Sequence, residues 1–191
     1  MTLEPEGPLF TEEVVLMFHS RSADSPPGHG AGEQIPAALE PAYAPLATIP
    51  HWRRLLSNFA DAPFALDGLR WRSVEHCFQA TKFRGVDPAY YRSFALDSGS
   101  ELSQVLGPPV KSAGGRRARP LDGAARAAWE QLKHDVAERA IEAKFTAHAL
   151  HRQALLATRL AKLTHKPARA RHVIVELGLM RVRARLRAAE R

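Results

Sequence analysis

The stretch SVEHCFQATKF, residues 73–83, combines an apolar helix face with a row of polar side chains. Ser73 stands where a helix N-cap is expected. Four side chains then repeat at the i, i+3, i+4 and i+7 spacing of one helical face: Val74, Cys77, Phe78 and Thr81. At about 100° per residue, Glu75, Gln79 and Lys82 fall within roughly 60° of each other on the adjoining face. The stretch therefore predicts a helix with a carboxylate, an amide and a cation beside its core face.

Two segments before this helix predict β-structure. PFALDGLRWRS, residues 63–73, places short apolar runs around Asp67-Gly68, a dipeptide that favours a tight hairpin turn. VVLMF, residues 14–18, is a short β-branched and apolar run typical of a buried strand. We expect the 14–18 strand and the 64–72 hairpin to form one small sheet. Residues 20–36 are rich in Gly, Pro and Ser and predict a flexible surface loop, although their glycines could also offer N–H groups to an anion.

The rest of the chain is predicted to be mainly helical. Asp87-Pro88 begins a short helix, and Asp122 can cap a long one. The long helix carries one apolar stripe, made of Trp129, Leu132, Val136, Ala140 and Ala143. A further helix is expected over about residues 149–163, and Pro167 prevents its continuation. From about His172, one face carries Val175, Leu179, Val182 and Leu186, while Arg181, Arg183, Arg185 and Arg187 point elsewhere.

These elements predict an α+β fold that is predominantly helical, with a small antiparallel sheet. A chain of 191 residues with 45% hydrophobic content suffices for one ordinary domain. We expect an N-terminal tail over residues 1–13 and a single domain over residues 14–191. The sequence shows neither an apolar run that could span a bilayer nor a secretion signal, so we expect a cytoplasmic protein without a membrane partner. Its one cysteine, Cys77, excludes an internal disulfide.

Charge is spread unevenly along the chain, whose net charge is +7. Residues 1–50 hold one basic and seven acidic residues, so the remainder carries 26 basic residues against 13 acidic ones. Such an excess favours phosphate-bearing partners, either nucleotides or nucleic acid. The nine histidines show no compact ligand spacing, and we expect neither a metal nor a cofactor.

The catalytic residues available to this chain are few. The sequence has no GxSxG elbow, no P-loop, no HExxH and no GxGxxG before a helix. What remains is a carboxylate, Glu75, beside an amide and a cation, together with an arginine-rich second half. That set suits cleavage of an N-glycosidic bond on a phosphorylated ribose, because a fixed carboxylate can stabilise an oxocarbenium-like transition state or activate water. The spacing alone favours a solvated helix face with weak i, i+4 contacts.

A longer stretch around this helix resembles the hallmark segment of the NADAR family, also called YbiA-like. The resemblance is carried by LSNFADAPFALDGLRWRSVEHCFQATKF, residues 56–83. It continues in segments on either side: MFHSRSADSPPGHGAGE, IPHWRRLLSNF, FALDSGSELS, KSAGGRRARP, LLATRLAKLTH and LGLMRVRARL. The resemblance covers roughly residues 14–187 and implies a YbiA-like N-glycosidase.

The resemblance also implies roles for particular residues. Glu75 is expected to be catalytic, and Trp129 is expected to line the site. The remaining matched positions near the pocket are Asn58, Phe59, Gln79, Lys82 and Lys144. The basic residues expected to hold phosphates, besides Lys82, include Arg116 and Arg119. His165, together with either Arg169 or Arg171, is expected to contact phosphate or ribose. Cys77 replaces the usual Tyr, and residues 163–172 lack an acidic block of other members, so a second catalytic carboxylate is unassigned.

The resemblance leaves the substrate open between two classes. One is a ribosylamino-pyrimidine phosphate of riboflavin synthesis, and the other is ADP-ribose attached to guanine in DNA or RNA. The partner is thus a phosphorylated ribosyl nucleotide or an ADP-ribosyl compound, with nucleic acid as a further candidate. A non-catalytic ADP-ribose or nucleic-acid binding module is the alternative, supported only by the altered 163–172 block.

Overall fold

The computed structural model describes residues 7–167 and 171–190, which divide into two compact units. Unit 1 joins Met1–Ser57 to His148–Arg191, and unit 2 is Asn58–Ala147. In chain order the strands and α-helices are β1 Thr11–Met17, α1 Glu40–Ala47, α2 Trp52–Leu56, β2 Phe64–Leu66, β3 Leu69–Trp71, α3 Val74–Thr81, α4 Pro88–Ser93, α5 Glu101–Gln104, α6 Pro108–Ala113, α7 Gly123–Ala147, α8 Ala149–Ala157, β4 Ala161–His165, β5 Ile174–Val175 and α9 Leu177–Ala188. The predicted α+β, predominantly helical fold is confirmed.

Unit 1 contains a three-stranded sheet in the order β1-β4-β5. β1 runs parallel to β4, with Leu16 opposite Leu163, and β4 runs antiparallel to β5. Both leucines are fully buried, so this pairing forms the core of the unit. The predicted strand at 14–18 is confirmed, although β1 begins earlier, at Thr11 inside the predicted tail.

Two predictions about this sheet are wrong. The helix expected over about 149–163 ends at Ala157, because Arg159 adopts a left-handed φ of 50° and residues 161–165 then pair with β1. The hairpin expected to join β1 forms a separate two-stranded antiparallel sheet, β2-β3. A ladder between residues about 150 apart gives no local signal, whereas the apolar run of 155–163 looks helical from sequence alone.

The loop over residues 20–36 is irregular, as predicted, but it is tied to unit 1 by a buried ion pair. The Glu33 carboxylate accepts the amides of Gly28 (3.1 Å) and Gly30 (3.0 Å) and the side chain of Arg53 (2.6 and 2.7 Å). Arg53 also donates to the carbonyls of Ser25 and Pro26. A Cβ on Gly30 would lie 2.7 Å from Glu33 Cδ, so this position requires glycine. The glycine amides of this loop therefore donate to the Glu33 carboxylate of the same chain.

The last helix buries one of its arginines. Leu179, Val182 and Leu186 form the buried face of α9, as predicted. Val175, expected on the same helical face, instead pairs with Thr164 in β5, because α9 begins only at Leu177. Arg183 was expected to point away from the core, but it is 1% exposed. It donates to Thr158 Oγ1 (2.8 Å) and to the carbonyls of Ala161 (2.9 Å) and Leu9 (2.7 Å). These three acceptors replace the hydrogen bonds that the guanidinium would make with water. Burial lowers the pKa of Arg183 to about 9.

Unit 2 begins its regular structure with the predicted hairpin. Asp67 and Gly68 at its turn have φ values of 53° and 76°, the positive pair that a two-residue turn of type I′ requires. Ser73 and Asp122 accept amide hydrogen bonds at the starts of α3 and α7, which confirms the two predicted caps, and Asp87 does the same at the start of α4. Leu132, predicted on the core stripe of α7, is instead 53% exposed, because it lines a surface cavity, whereas Trp129 and Val136 of the same stripe are buried. Among the described helices, none has the length and apolar composition needed to cross a bilayer.

Candidate active site

The candidate site is built on the first two turns of α3. The Ser73 hydroxyl accepts the His76 amide (3.4 Å) and lies 2.8 Å from His76 Nδ1. The Glu75 amide donates to the Asn58 carbonyl (3.0 Å), so the backbone of Asn58 holds the start of this helix. His76 is fully buried, and burial lowers its pKa, which favours a neutral imidazole. These contacts fix the position from which the Glu75 side chain extends.

The polar row of α3 is a hydrogen-bonded chain. Gln79 Nε2 donates to Glu75 Oε1 at 2.7 Å, and Lys82 Nζ donates to Gln79 Oε1. Glu75 and Gln79 are only 8% and 4% exposed, and Lys82 is half-buried. The reading of these residues as a solvated helix face is therefore wrong. One amide connects a buried carboxylate to an ammonium group, because Gln can donate at one end and accept at the other.

A glycine opposite this row was not singled out from the sequence as a site residue. Lys82 Nζ also donates to the Gly114 carbonyl at 2.9 Å. A Cβ on Gly114 would lie 2.0 Å from Gln79 Oε1 and 2.7 Å from Gln79 Cβ. Only glycine allows the turn after α6 to approach the row this closely. The signal in the sequence was the pair Gly114-Gly115, which indicated a turn but not its contact.

Burial shifts the pKa of two titratable side chains of α3: the lysine of this row and the cysteine on the opposite face. Burial lowers the pKa of Lys82, the Glu75 carboxylate opposes that shift, and Lys111 adds to it. Burial raises the pKa of Cys77 to about 12, so its thiol stays protonated and unreactive at neutral pH. The titratable chemistry of α3 therefore lies on the Glu75 side.

An aromatic pair flanks Lys82. The rings of Phe78 and Trp129 meet edge to face with centroids 4.8 Å apart. Lys82 Nζ lies 5.8 Å from the Phe78 centroid and 5.7 Å from that of Trp129, within cation–π range. Trp129 is thus brought next to Lys82, and the site-lining role that the resemblance implies for it stays a prediction. Phe78, expected on the core face, is half-buried at the same point.

The other candidate residues of unit 2 differ in their surroundings. Asn58 and Phe59 are half-buried just before the hairpin. Lys144 is 1% exposed within α7, its ammonium lies 4.6 Å from the Phe145 ring, and burial lowers its pKa to about 7. Arg116 is exposed in the turn after Gly115. Arg119 is already engaged, because it pairs with Asp87 and its guanidinium lies 4.4 Å from the Tyr90 ring centroid.

Two of the remaining candidates are described in unit 1. His165 ends β4 and pairs through Nδ1 with Glu176, a carboxylate that the sequence reasoning did not single out. Arg171 is exposed before β5, and Arg169 lies outside the described residues. The role of these three as phosphate contacts stays a prediction. Within residues 7–167 and 171–190, no group of three or more His, Cys, Asp or Glu side chains is placed to hold a metal ion.

The fold and the site define an α+β protein with a buried carboxylate–amide–lysine row, and comparison with known proteins shows its family. No protein-family model matches the chain. N-glycosidase YbiA of Escherichia coli (strain K12) is 42% identical over 108 residues, or 56% of this chain and 59% of that protein. N-glycosidase YbiA of Shigella sonnei (strain Ss046) shows the same identity and coverage. The chain therefore matches about 59% of the length of these curated relatives.

A solved structure extends the match. The NMR structure of the E. coli protein YbiA has a TM-score of 0.53 and 32% sequence identity to this chain. The alignment covers 72% of this chain and 78% of that one. The chain belongs to the YbiA-like (NADAR) family, which confirms the resemblance drawn from residues 56–83.

Proposed function

We propose that this protein is an N-glycosidase that hydrolyses the bond between a phosphorylated ribose and the nitrogen of a heterocyclic base. The observation that carries the proposal is the buried Glu75 carboxylate, held at 2.7 Å by Gln79 within a row that ends at Lys82. A carboxylate so oriented suits a transition state with positive charge on the ribose. The names of the YbiA relatives support the same class of reaction.

Glu75 contributes charge and orientation in this mechanism. Cleavage breaks the bond between the anomeric carbon and nitrogen, and that carbon becomes electron-deficient as the base departs. The carboxylate stabilises this charge and accepts a hydrogen bond from the attacking water, whose oxygen bonds to the anomeric carbon. One proton of the water is transferred to the leaving nitrogen, which gains an N–H bond in place of the broken C–N bond. Because Gln79 fixes Oε1, the carboxylate is oriented before substrate arrives.

Lys82 holds an anionic part of the substrate. Its ammonium has three N–H donors, of which Gln79 and Gly114 use two. The third is available to a phosphate or ribose oxygen, and the partial burial of Lys82 strengthens that interaction. Lys82 therefore links the proposed reaction centre to the phosphate group.

Two substrates fit this site equally well in chemistry. A ribosylamino-pyrimidine phosphate of riboflavin synthesis needs only the pocket. ADP-ribose on guanine in DNA or RNA would also use exposed cations around the end of α6, Lys111 in the helix and Arg116 and Arg117 in the turn after it, which lie in the same unit as Glu75. That basic turn is the specific observation that favours a nucleic-acid substrate.

The deciding experiment compares purified wild-type protein with Glu75→Gln on both substrates side by side. We expect wild-type protein to release the free base from at least one substrate and Glu75→Gln to lose about a hundredfold or more in rate. Glu130→Gln is the matched control, because Glu130 is an exposed carboxylate of α7 that pairs only with Lys133 among the described residues. Retained hydrolysis in Glu75→Gln would contradict the proposal. ADP-ribose binding without cleavage of either substrate would favour the binding module.

A further inference from the structure

Two consecutive carbonyls at the end of α6 accept hydrogen bonds from side chains of other elements. Lys82 Nζ donates to the Gly114 carbonyl at 2.9 Å, and Tyr90 Oη donates to the Ala113 carbonyl at 3.0 Å. The last carbonyls of a helix have no partner within the helix, so these two donors replace missing backbone bonds. The end of α6 is thus held both by the lysine of the polar row and by a tyrosine of α4.

The Tyr90 side chain is itself fixed by packing next to the polar row. Its ring meets Phe83 and Phe94 edge to face, with centroids 5.0 and 5.3 Å apart. Phe83 directly follows Lys82, and both phenylalanines are buried. Burial raises the pKa of Tyr90, so its hydroxyl keeps its proton and donates at neutral pH. The hydroxyl is therefore a hydrogen-bond donor at a fixed place relative to Lys82.

Arg119 connects the other end of the same turn to Tyr90. The amides of Ala118 and Arg119 both donate to the Gly115 carbonyl at 3.0 Å, which closes the turn. The Arg119 side chain pairs with Asp87, and its guanidinium lies 4.4 Å from the Tyr90 ring centroid. Asp87 in turn accepts the Tyr90 amide at 3.0 Å. The turn after α6 is therefore fastened to the first turn of α4 at both of its ends.

From these contacts we infer that Tyr90 and Arg119 are positioning residues that hold the turn after α6 so that the Gly114 carbonyl stays against Lys82. Without the Tyr90 hydroxyl, the Ala113 carbonyl turns to water and the Gly114 carbonyl loses its fixed position. Lys82 then loses one of its acceptors. Arg119 acts through this turn and does not bind the phosphate of the substrate. The inference rests on the proposed function, because the Gly114 contact matters for hydrolysis only if the polar row is the reaction centre.

The test follows the carbonyl ¹³C resonance of Gly114 by NMR while the pH is raised until Lys82 loses its proton. Because the ammonium donates to this carbonyl, the wild-type resonance should shift with pH, and Lys82→Met should lack that shift. Tyr90→Phe keeps the ring and removes only the hydroxyl, so it should lose most of the shift. Tyr91→Phe is the matched control on the same helix, because the Tyr91 hydroxyl has no hydrogen bond with any described residue. It should keep the wild-type shift.

The charged groups that act on Lys82 include Glu75 of α3 and Lys111 of α6. Tyr90→Phe and Tyr91→Phe keep both groups, so a difference between these two proteins reports the Gly114 contact.

A second variant separates positioning by Arg119 from phosphate binding. Arg119→Gln should reduce the Gly114 shift as Tyr90→Phe does, whereas Arg117→Gln, which removes an exposed cation of the same turn, should keep it. If Arg119 binds phosphate instead, Arg119→Gln will show a wild-type Gly114 shift and weaker binding of inorganic pyrophosphate. That result would overturn the role inferred for Arg119.

Hydrolysis completes the test. We expect kcat/KM of Tyr90→Phe to fall about tenfold on whichever substrate the wild type cleaves, and that of Tyr91→Phe to stay unchanged. The inference is overturned by a wild-type Gly114 shift in Tyr90→Phe, by a wild-type protein without the shift, or by unchanged kcat/KM in a Tyr90→Phe protein that has lost it. The NMR measurement needs no turnover. A shift that depends on Tyr90 in a protein that cleaves neither substrate refutes only the proposed function, whereas Glu75-dependent hydrolysis with a shift independent of Tyr90 refutes only the positioning role.

Discussion

The Gly114 carbonyl accepts a hydrogen bond from the Lys82 ammonium at 2.9 Å, although the two residues are 32 positions apart. The contact exists because Gly114 has no side chain, since a Cβ there would lie 2.7 Å from Gln79 Cβ. The turn after α6 thereby becomes the wall opposite the polar row of α3. Any change that moves this wall will also move Gln79, which orients Glu75.

Gly114→Ala should lower the rate of hydrolysis more than it lowers stability. The added methyl group displaces Gln79 and with it the Glu75 carboxylate, and a small displacement of a catalytic group can cost about a hundredfold. The measurement is kcat/KM alongside thermal unfolding. Gly123→Ala is the matched control, because a Cβ on Gly123 meets nothing within 4 Å. A Gly114→Ala enzyme with wild-type kcat/KM would show that this close approach is unimportant.

Lys82 should determine the alkaline limit of activity. Burial lowers its pKa below that of an ordinary lysine, so the ammonium loses its proton at a lower pH than an exposed lysine would. If the charged form holds the phosphate, activity falls as pH rises through this lowered pKa. Arginine keeps its proton throughout, so Lys82→Arg should move the alkaline limb of the kcat/KM profile upward, even at a lower maximum.

The control for that profile is Lys133→Arg, a surface lysine of α7 that pairs with Glu130. It should leave the whole profile unchanged. An alkaline limb at the same pH in wild-type and Lys82→Arg protein would assign the titration to another group.

Much of this fold was predictable because its signals are local. The cap at Ser73 and the turn at Asp67-Gly68 each depend on a few neighbouring residues, and both are confirmed. β4 was missed because its strand character comes from pairing with β1, about 150 residues earlier. The burial of Arg183 was also missed, because one of the carbonyls that accept its hydrogen bonds belongs to Leu9, which is distant in sequence.

The candidate site was likewise predictable only where the signal is local. Helical spacing put Glu75, Gln79 and Lys82 on one face, and the structure brings them together. Spacing could not show that the face is buried, because the covering turn at Gly114 comes from another part of the chain. Leu132 belongs to the apolar stripe of α7 but is exposed at a cavity. The spacing of apolar residues shows that they share a helix face, but it does not show whether other residues pack on that face.

Breaking the ion pair between Glu33 and Arg53 should strongly destabilise unit 1. Both side chains are almost fully buried, at 0% and 4% exposure, and the carboxylate also binds three backbone amides. Glu33→Gln leaves the Arg53 charge buried without its partner, so the free energy of unfolding should fall by about 3–5 kcal/mol. Denaturant titration checks this value. Glu12→Gln, which removes the exposed pair with Lys162, should change it by less than about 1 kcal/mol.

Lys144 should make the stability of the protein rise with pH above neutrality. Burial lowers its pKa to about 7 in the folded protein, from an ordinary value of 10.5. Between these two values the unfolded chain binds a proton at this lysine that the folded protein does not, so raising the pH favours folding. Below about pH 7 both states are protonated and this contribution to the slope disappears. Lys144→Met removes the titrating group, and the free energy of unfolding should then rise less between pH 7 and pH 10.5 than in the wild type. Denaturant titrations across that range measure the difference, and equal slopes for the two proteins would show that Lys144 stays protonated in the folded state.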